Sequence, residues 1–229
     1  MIIDPRQDPR VVIPEPALRR LPWYLAYVSL LRQKKVEYVS STQISRDLSV
    51  DSSQIAKDLS FLNIKGKTRI GYEVASLEQV LQDFLGFRLS HNALIVGVGS
   101  LGGALIQDSG LEQFGLNIVA GFDVNSQIIG RTICGIPVFD VKELELRRRQ
   151  FAADIGIITV PVHAAQEVAD NFVAAGVKAL WNFTPFRIKV DEEKIVVQNT
   201  SIYAHLAVMY NRLNLSKIRR HVSGEGETQ

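Results

Sequence analysis

Residues Leu94–Asp123, LIVGVGSLGGALIQDSGLEQFGLNIVAGFD, decide the fold. An apolar run, Ala93 to Val96, meets Gly97, Gly99 and Gly102 in G-x-G-x-x-G spacing. A helical pattern follows, and a second apolar run from Ile118 to Phe122 closes on Asp123. Strand, glycine turn, helix, strand and terminal carboxylate in that order make a βαβ dinucleotide-binding unit. Each glycine answers a separate physical need: a tight turn, bare backbone beside a pyrophosphate, and close approach of helix to strand. The phosphates would rest on the free N–H groups and positive dipole end of the following helix. Asp123, about 20 residues beyond the glycines, is placed to accept hydrogen bonds from the adenosine ribose hydroxyls. A carboxylate there repels a 2′-phosphate and no Arg immediately follows it, so the expected cofactor is NAD(H) rather than NADP(H). The plainer alternatives are glycines that only punctuate a βα turn and Asp123 as an ordinary strand-end residue.

Downstream, apolar runs keep alternating with helical patterns. Val141 to Arg149 reads as a short helix with a charged face and Asp154 to Val160 as a fully apolar strand. His163 to Ala175 reads as a helix closed by Gly176, and Lys178 to Phe183 as another strand. Such alternation predicts a parallel sheet with helices on both sides. Right-handed crossovers then bring Pro161 and Asn182 to the carboxyl ends of neighbouring strands, the edge where a nicotinamide ring would lie. Ser201 to Leu215 reads as a last helix carrying Ile202, Leu206, Met209, Tyr210 and Leu213, an apolar surface that docks on its own chain or on a twin. Lys217 to His221 is basic, and Gly224 to Gln229 reads as a disordered tail.

Upstream, residues 1–15 carry prolines among charges and read as an extended arm. Leu21, Leu25, Val28 and Leu31 recur at helical spacing between Leu18 and Lys35, with Pro22 limiting how the first turn forms. In the stretch from Ser40 to Leu62, Ser40 with Gln43 and Asp51 with Gln54 are cap-x-x-Gln pairs, which start two short helices in helix-turn-helix form. On the second helix Ile55, Leu59 and Leu62 share the core-facing stripe. The opposite face carries Ser53, Lys57 and Ser60, small polar and basic side chains suited to a major groove. Lys65, Lys67 and Arg69 surround Gly66 in a turn that leads into a strand, the form of a phosphate-tracking wing. The bland reading is a solvated polar face and a basic turn. A further helix is expected from Leu77 to Phe87, with a domain boundary near Arg88 to His91.

The remaining composition bounds the class. The 229 residues suffice for two modest domains, and 46% hydrophobic with 22% charged residues is ordinary for a globular protein. A net charge of +2 does not by itself argue for nucleic acid. The single cysteine, Cys134, rules out a disulfide framework or a cysteine zinc cage and reads as a buried hydrophobe. No metal site is expected. No run approaches a membrane span and no signal segment is evident, which places the protein in the cytoplasm.

The chain resembles the Rex family of bacterial redox-sensing transcriptional repressors over nearly its whole length. The resemblance rests on SSTQISRDLSVDSSQIAKDLSF in the helix pair, IGYEV in the wing, GVGSLGGAL at the phosphates, GFDVN at the ribose and TVPVHAAQEVADNFVAAGVKALWNFTP at the nicotinamide edge. It implies a homodimer of α/β class: an arm over 1–15, a winged-helix DNA-binding domain over 16–88, a Rossmann-type parallel-sheet NAD(H)-binding domain over 89–198, and a domain-swapped C-terminal helix with its tail over 199–229. It extends the coenzyme set from Gly97, Gly99, Gly102, Asp123, Pro161 and Asn182 to Val98, Ser100, Leu101, Val160 and Phe183, and adds Ser41 and Gln54 to the DNA set. The chain departs from the family pattern at Ala56, Thr68 and Ser201, which bear on the operator, on affinity and on the contact that reports redox state.

The implied activity is repression at palindromic double-stranded operators, released when NADH rises relative to NAD+. Reduced nicotinamide is neutral and the oxidised ring is positive, so a mainly apolar pocket favours NADH. Swinging a two-state dimer from 1:99 to 99:1 takes about 5.5 kcal/mol of differential binding. The rival class is an NAD-dependent dehydrogenase, in which His163 is the nearest proton donor but no carboxylate is evidently placed to orient it. A constitutive DNA-binding protein with a vestigial nucleotide fold is the third class.

Overall fold

The computed structural model describes residues 13–62 and 64–222, with side chains described as far as Leu215. The expectations for an arm over 1–15 and for the terminal tail therefore fall almost wholly outside the described residues. The chain divides into two compact units between Leu89 and Ser90.

The first unit opens with α1 (Glu15–Gln33). Its start precedes the expected Leu18 because Pro16 sits in the first turn, where a missing N–H costs nothing. Pro22, expected to limit that turn, lies inside the helix and removes the N–H that would bond the Leu18 carbonyl. Leu21, Tyr24, Leu25, Val28 and Leu31 face inward at intervals of three and four residues. There follow β1 (Tyr38–Val39), α2 (Ser41–Leu48), α3 (Ser52–Ser60), β2 (Tyr72–Glu73) and α4 (Val74–Phe84). The Ser40 hydroxyl accepts the Gln43 N–H at 3.1 Å, and Asp51 accepts the Ser53 and Gln54 N–H groups at 2.9 and 3.1 Å. Gln54 does not return the bond to its cap as a full capping box would; its side chain turns to Asp58 instead.

β1 and β2 pair antiparallel, with Val39 opposite Tyr72. Ahead of β2, Lys67 and Gly71 exchange backbone hydrogen bonds of 2.8 and 2.9 Å, closing the wing turn. Gly71 has φ +106°, and a Cβ there would stand 2.3 Å from the Val39 carbonyl oxygen, so only glycine brings the turn against β1. Val39, Ile44, Ile55, Leu59, Leu77 and Leu81 join the α1 face in one core, completing a winged helix.

The second unit runs β3 (His91–Val96), α5 (Ser100–Gln107), α6 (Ser109–Gln113), β4 (Leu116–Asp123), β5 (Thr132–Ile133), β6 (Ile136–Asp140), α7 (Leu144–Phe151), β7 (Ile155–Ile158), α8 (Ala165–Ala175), β8 (Ala179–Asn182), β9 (Val196–Asn199) and α9 (Ile202–Val222). Single 3-10 turns, Val141–Glu143 and Val162–Ala164, lead into α7 and α8. The strands form one sheet in the order β5-β6-β4-β3-β7-β8-β9, parallel throughout except for β5. Alternate residues of β3 serve opposite faces. Leu94 and Val96 join Phe122, Leu144 and Phe172 beneath α7 and α8, whereas Ala93 and Ile95 join Val138 and Ile157, against which Leu105 and Ile106 of α5 pack. This is a doubly wound Rossmann-type sheet whose strand order reverses at β3, between β4 and β7.

Three features were not expected. The β5–β6 hairpin and the edge strand β9 extend the sheet on both sides. Cys134, expected as a buried hydrophobe, is exposed. It occupies the two-residue hairpin loop with φ +49°, followed by Gly135 at +82°, a mirror-image turn that throws the side chain outward. Among the described residues no helix is long and apolar enough to cross a membrane, and no cluster of metal-ligating side chains occurs.

Candidate coenzyme cleft and DNA-reading face

At the carboxyl edge of the second unit the three glycines have three distinct environments. Gly97 leaves β3 at φ +94°, and a Cβ on it would meet the Thr159 carbonyl oxygen at 2.8 Å. A Cβ on Gly102 would stand 2.0 Å from the Gly97 carbonyl oxygen, so α5 lies on the loop at a distance only glycine permits. A Cβ on Gly99 would meet nothing within 4 Å. Nothing in the chain around it therefore demands a glycine at this position. Side chains cap α2, α3 and α6, but none caps α5, whose first N–H groups remain available to an anion. Val98 is buried beneath the loop, while Ser100 and Leu101 open α5 on its exposed side.

Asp123 has two duties. One carboxylate oxygen accepts the Val98 N–H at 3.0 Å and the other accepts Val124 and Asn125 N–H groups at 2.8 and 2.9 Å. Three of about four acceptor positions are thus taken by backbone, which locks β4 to the glycine loop and leaves about one open. Thr159, absent from the sequence reading, braces the same loop by donating from its hydroxyl to the Gly97 carbonyl at 2.7 Å. Its one sequence signal is a polar residue ending an apolar strand.

Val160, Pro161 and Phe183 line a cavity of about 320 Å³ with Leu101, Thr159 and Thr184. Ile202 and Tyr203, from the base of α9, complete the wall and were not foreseen. Asn182 stands beside the cavity but is fully buried. Its amide donates to the Phe186 carbonyl at 2.7 Å and to the Asn199 side chain at 2.9 Å, and its oxygen accepts the Thr184 N–H at 3.0 Å. Asn182 therefore holds the shape of the β8 end and ties it to β9. Two further bonds join β8 to Thr200, two residues ahead of α9: Trp181 Nε1 donates to the Thr200 hydroxyl at 2.9 Å, and the Thr200 N–H to the Asn182 carbonyl at 2.8 Å.

In the first unit, Ser53, Lys57 and Ser60 are exposed along one side of α3, with Ala56 among them, and Gln54 is half-buried at its first turn. Ser41 begins α2, half-buried. Ser53 is tied by its hydroxyl and N–H to the Asp51 cap, and the Ser60 hydroxyl donates to the Lys57 carbonyl at 2.7 Å. Lys65 and Arg69 are exposed at the wing. Lys67 lies 4.7 Å above the Tyr38 ring centroid, and its Nζ is 2.6 Å from the Tyr38 hydroxyl. That contact raises the Lys67 pKa, so the wing cation stays charged. Among the described residues Lys57, Lys65 and Arg69 make no ion pair, whereas Arg147, Arg148 and Arg149 of α7 are each paired with a carboxylate. Charge left over for phosphates thus lies on α3 and the wing rather than on the arginine-rich helix.

Sequence reasoning missed Asp58, a carboxylate on the core side of α3 that is fully buried. Arg20 donates to both its oxygens at 2.7 and 2.8 Å, Tyr24 donates at 2.8 Å and the Gln54 amide at 2.7 Å. Burial pushes the carboxyl pKa up, but the bonds from Arg20, Tyr24 and Gln54 outweigh it and hold the group below the usual range. Its partners on α1, Arg20 and Tyr24, are one helical turn apart, a spacing that becomes a signal only once α1 and α3 are known to pack.

Comparison with known proteins agrees with both halves. A family model described as CoA binding domain matches residues 89–186, and one described as putative DNA-binding protein N-terminus matches 12–60. The chain is 60% identical over 206 residues to the redox-sensing transcriptional repressor Rex of Bacteroides fragilis, covering 90% of this chain and 93% of that one. It is 59% identical over 204 residues to the Rex protein of Porphyromonas gingivalis strain ATCC 33277, covering 88% and 92%. Among solved structures, RSP in complex with β-NAD+ and operator DNA matches with a TM-score of 0.86 at 32% identity, over 95% of this chain and 100% of that one. RSP in complex with β-NADH matches at 0.83 and 32%, over 93% and 100%.

Proposed function

The chain belongs to the Rex family of redox-sensing transcriptional repressors, and we propose that it holds operator DNA through α3 and the wing and lets go when NADH accumulates. The single observation that carries the coenzyme half is Gly99, bare in a place where the chain itself has no need of bareness. The residues fit NAD(H). Gly97, Val98, Gly99, Ser100, Leu101 and Gly102 would cradle its phosphates and Asp123 its ribose. Val160, Pro161 and Phe183 would flank its nicotinamide, with Asn182 supporting their geometry.

When bound, the coenzyme supplies a difference of one ring charge between its oxidised and reduced forms. The cavity walls from Leu101, Val160, Pro161 and Ile202 offer that charge little solvation, which favours the neutral form. On the DNA side, Lys57, Ser53, Gln54, Ser60 and Ser41 face the groove, while Lys65, Lys67 and Arg69 follow the backbone.

We further read the working molecule as a cytoplasmic homodimer. Met209 and Tyr210 of α9 are 52% and 55% exposed, and a second copy of the chain would cover this apolar face. Two reading helices related by a two-fold axis call for a palindrome with half-sites one or two turns apart, about 34 Å per turn. The same reading makes the protein a regulator without a reaction of its own. His163 is exposed in the turn before α8, and no carboxylate among the described residues orients it as a proton donor.

The test is a gel shift with a palindromic promoter duplex. The complex is expected to form with NAD+ or without nucleotide and to dissociate at micromolar NADH. Absence of any complex overturns the repressor reading; a complex indifferent to NADH overturns the sensor half. Lys57→Ala is expected to weaken DNA binding and leave nucleotide affinity unchanged; Asp123→Ala is expected to weaken nucleotide binding and leave DNA binding in place, with some loss of stability from the three backbone N–H groups it releases.

A further inference from the structure

Of the side chains assigned to the groove, Gln54 alone carries its donor and its acceptor on separate atoms, so its reading depends on which end is presented. A free glutamine turns its amide over and serves either way. Gln54 is not free: its Nε2 lies 2.7 Å from Asp58 Oδ1, one helical turn along α3. Asp58 is ionised and accepts only, so it can take the nitrogen of Gln54 and never the oxygen. Nor can Asp58 move to suit a different arrangement. Its carboxylate is clamped by Arg20 through both oxygens and by Tyr24, and all three side chains are rooted in the packed α1–α3 contact. Among the described residues Gln54 Oε1 accepts no hydrogen bond.

We propose that Asp58 is a specificity-determining positioning residue: by holding the amide nitrogen of Gln54 it leaves the Gln54 oxygen as the reading group, matched to a base that offers an amino donor in the major groove. Adenine N6 and cytosine N4 are such donors; guanine and thymine present only acceptors or a methyl group there. Adenine fits best, because the second hydrogen on Nε2 can meet its N7 while the oxygen takes its N6 hydrogen. The inference rests on the DNA-reading role of α3 and goes beyond it by fixing the chemistry of one base pair per half-site.

Asp58→Asn is the informative change, because it keeps the shape and reverses the polarity of one atom. Arg20 Nε and the Tyr24 hydroxyl both donate at the Oδ2 position and so claim the new amide's oxygen there; its NH2 then takes the Oδ1 position facing Gln54, at the cost of the Arg20 Nη2 bond. Gln54 must then offer its oxygen inward and its nitrogen outward. The experiment is selection of operator duplexes from a pool randomised within each palindromic half-site, using the full-length protein with NAD+. Wild type, Asp58→Asn and Gln54→Ala are run side by side, and unfolding temperature and NADH affinity are recorded for each.

The wild type is expected to prefer adenine or cytosine at one half-site position by about tenfold. Gln54→Ala, a change on a half-buried helix position that should not threaten folding, is expected to lose the preference at that position only. Asp58→Asn is expected to shift it toward guanine or thymine there, with the ranking at other positions kept. If Gln54→Ala leaves every preference in place, the inference is wrong. It is equally wrong if Asp58→Asn folds and lowers affinity evenly across the pool. Should wild type select no duplex at all, the DNA-reading role itself falls, and the inference with it.

Discussion

Gly99 and Gly102 stand three residues apart and should fail for opposite reasons. Gly99→Ala adds a methyl into open space, so the unfolding temperature is expected to hold while NAD(H) affinity, read by calorimetry, drops about tenfold or more. Gly102→Ala drives a Cβ toward a carbonyl oxygen 2.0 Å away. Overpacking of that kind costs about 1–3 kcal/mol, so thermal unfolding should fall by several degrees along with binding. The buried acids make a pH prediction. Burial raises Asp58 and Glu78, yet hydrogen bonds outweigh it and both titrate below their ordinary values of 3.8 and 4.5. Groups depressed in the folded state contribute stability above those ordinary values and lose it as pH falls further, through the folded values. Unfolding temperature should therefore decline steeply below about pH 4, and less steeply in Asp58→Asn. The tight fits of Gly97 and Gly102 were legible because they follow from local chain geometry alone. Asp58 was not, since a buried carboxylate makes sense only beside donors 34 and 38 residues earlier in the chain.

At the scale of elements, the wing is two very short strands and a glycine-closed turn, with Tyr38 under Lys67 adding a side-chain contact to its ladder. Its cations are expected to act on phosphates and not on bases. Lys65→Ala and Arg69→Ala should each weaken binding evenly across operator sequences and reduce the slope of log affinity against log salt by about one, measured by fluorescence anisotropy. A change of base preference in either variant would remove the wing from that role. The helices and the four central strands could be read in advance because amphipathic spacing and continuous apolar runs announce them. The β5–β6 hairpin and β9 could not. β5 has two residues, and β9 is an edge strand reading VVQN with three of its four side chains exposed, so burial leaves no period in either. Helix starts were misjudged by about a turn where Pro16 and Val74 extend α1 and α4 ahead of their first obvious apolar stripe.

For the molecule as a whole, α9 is where one chain would meet another. Met209→Glu places a charge in the middle of the exposed apolar face, and sedimentation should find a monomer. Because a single reading unit forfeits the gain of binding two half-sites together, operator affinity is expected to drop at least a hundredfold. A dimer that survives the change would send the search for the interface elsewhere. The base of α9 also carries a mechanical consequence. Its 21 residues make a rod of about 31 Å, anchored to the cavity rim through Trp181, Asn182 and Thr200. Leverage follows from those proportions: a tilt of about 5° at the pivot swings the far tip by nearly 3 Å, so a ligand that merely nudges the rim delivers a stroke the size of an atom at the other end.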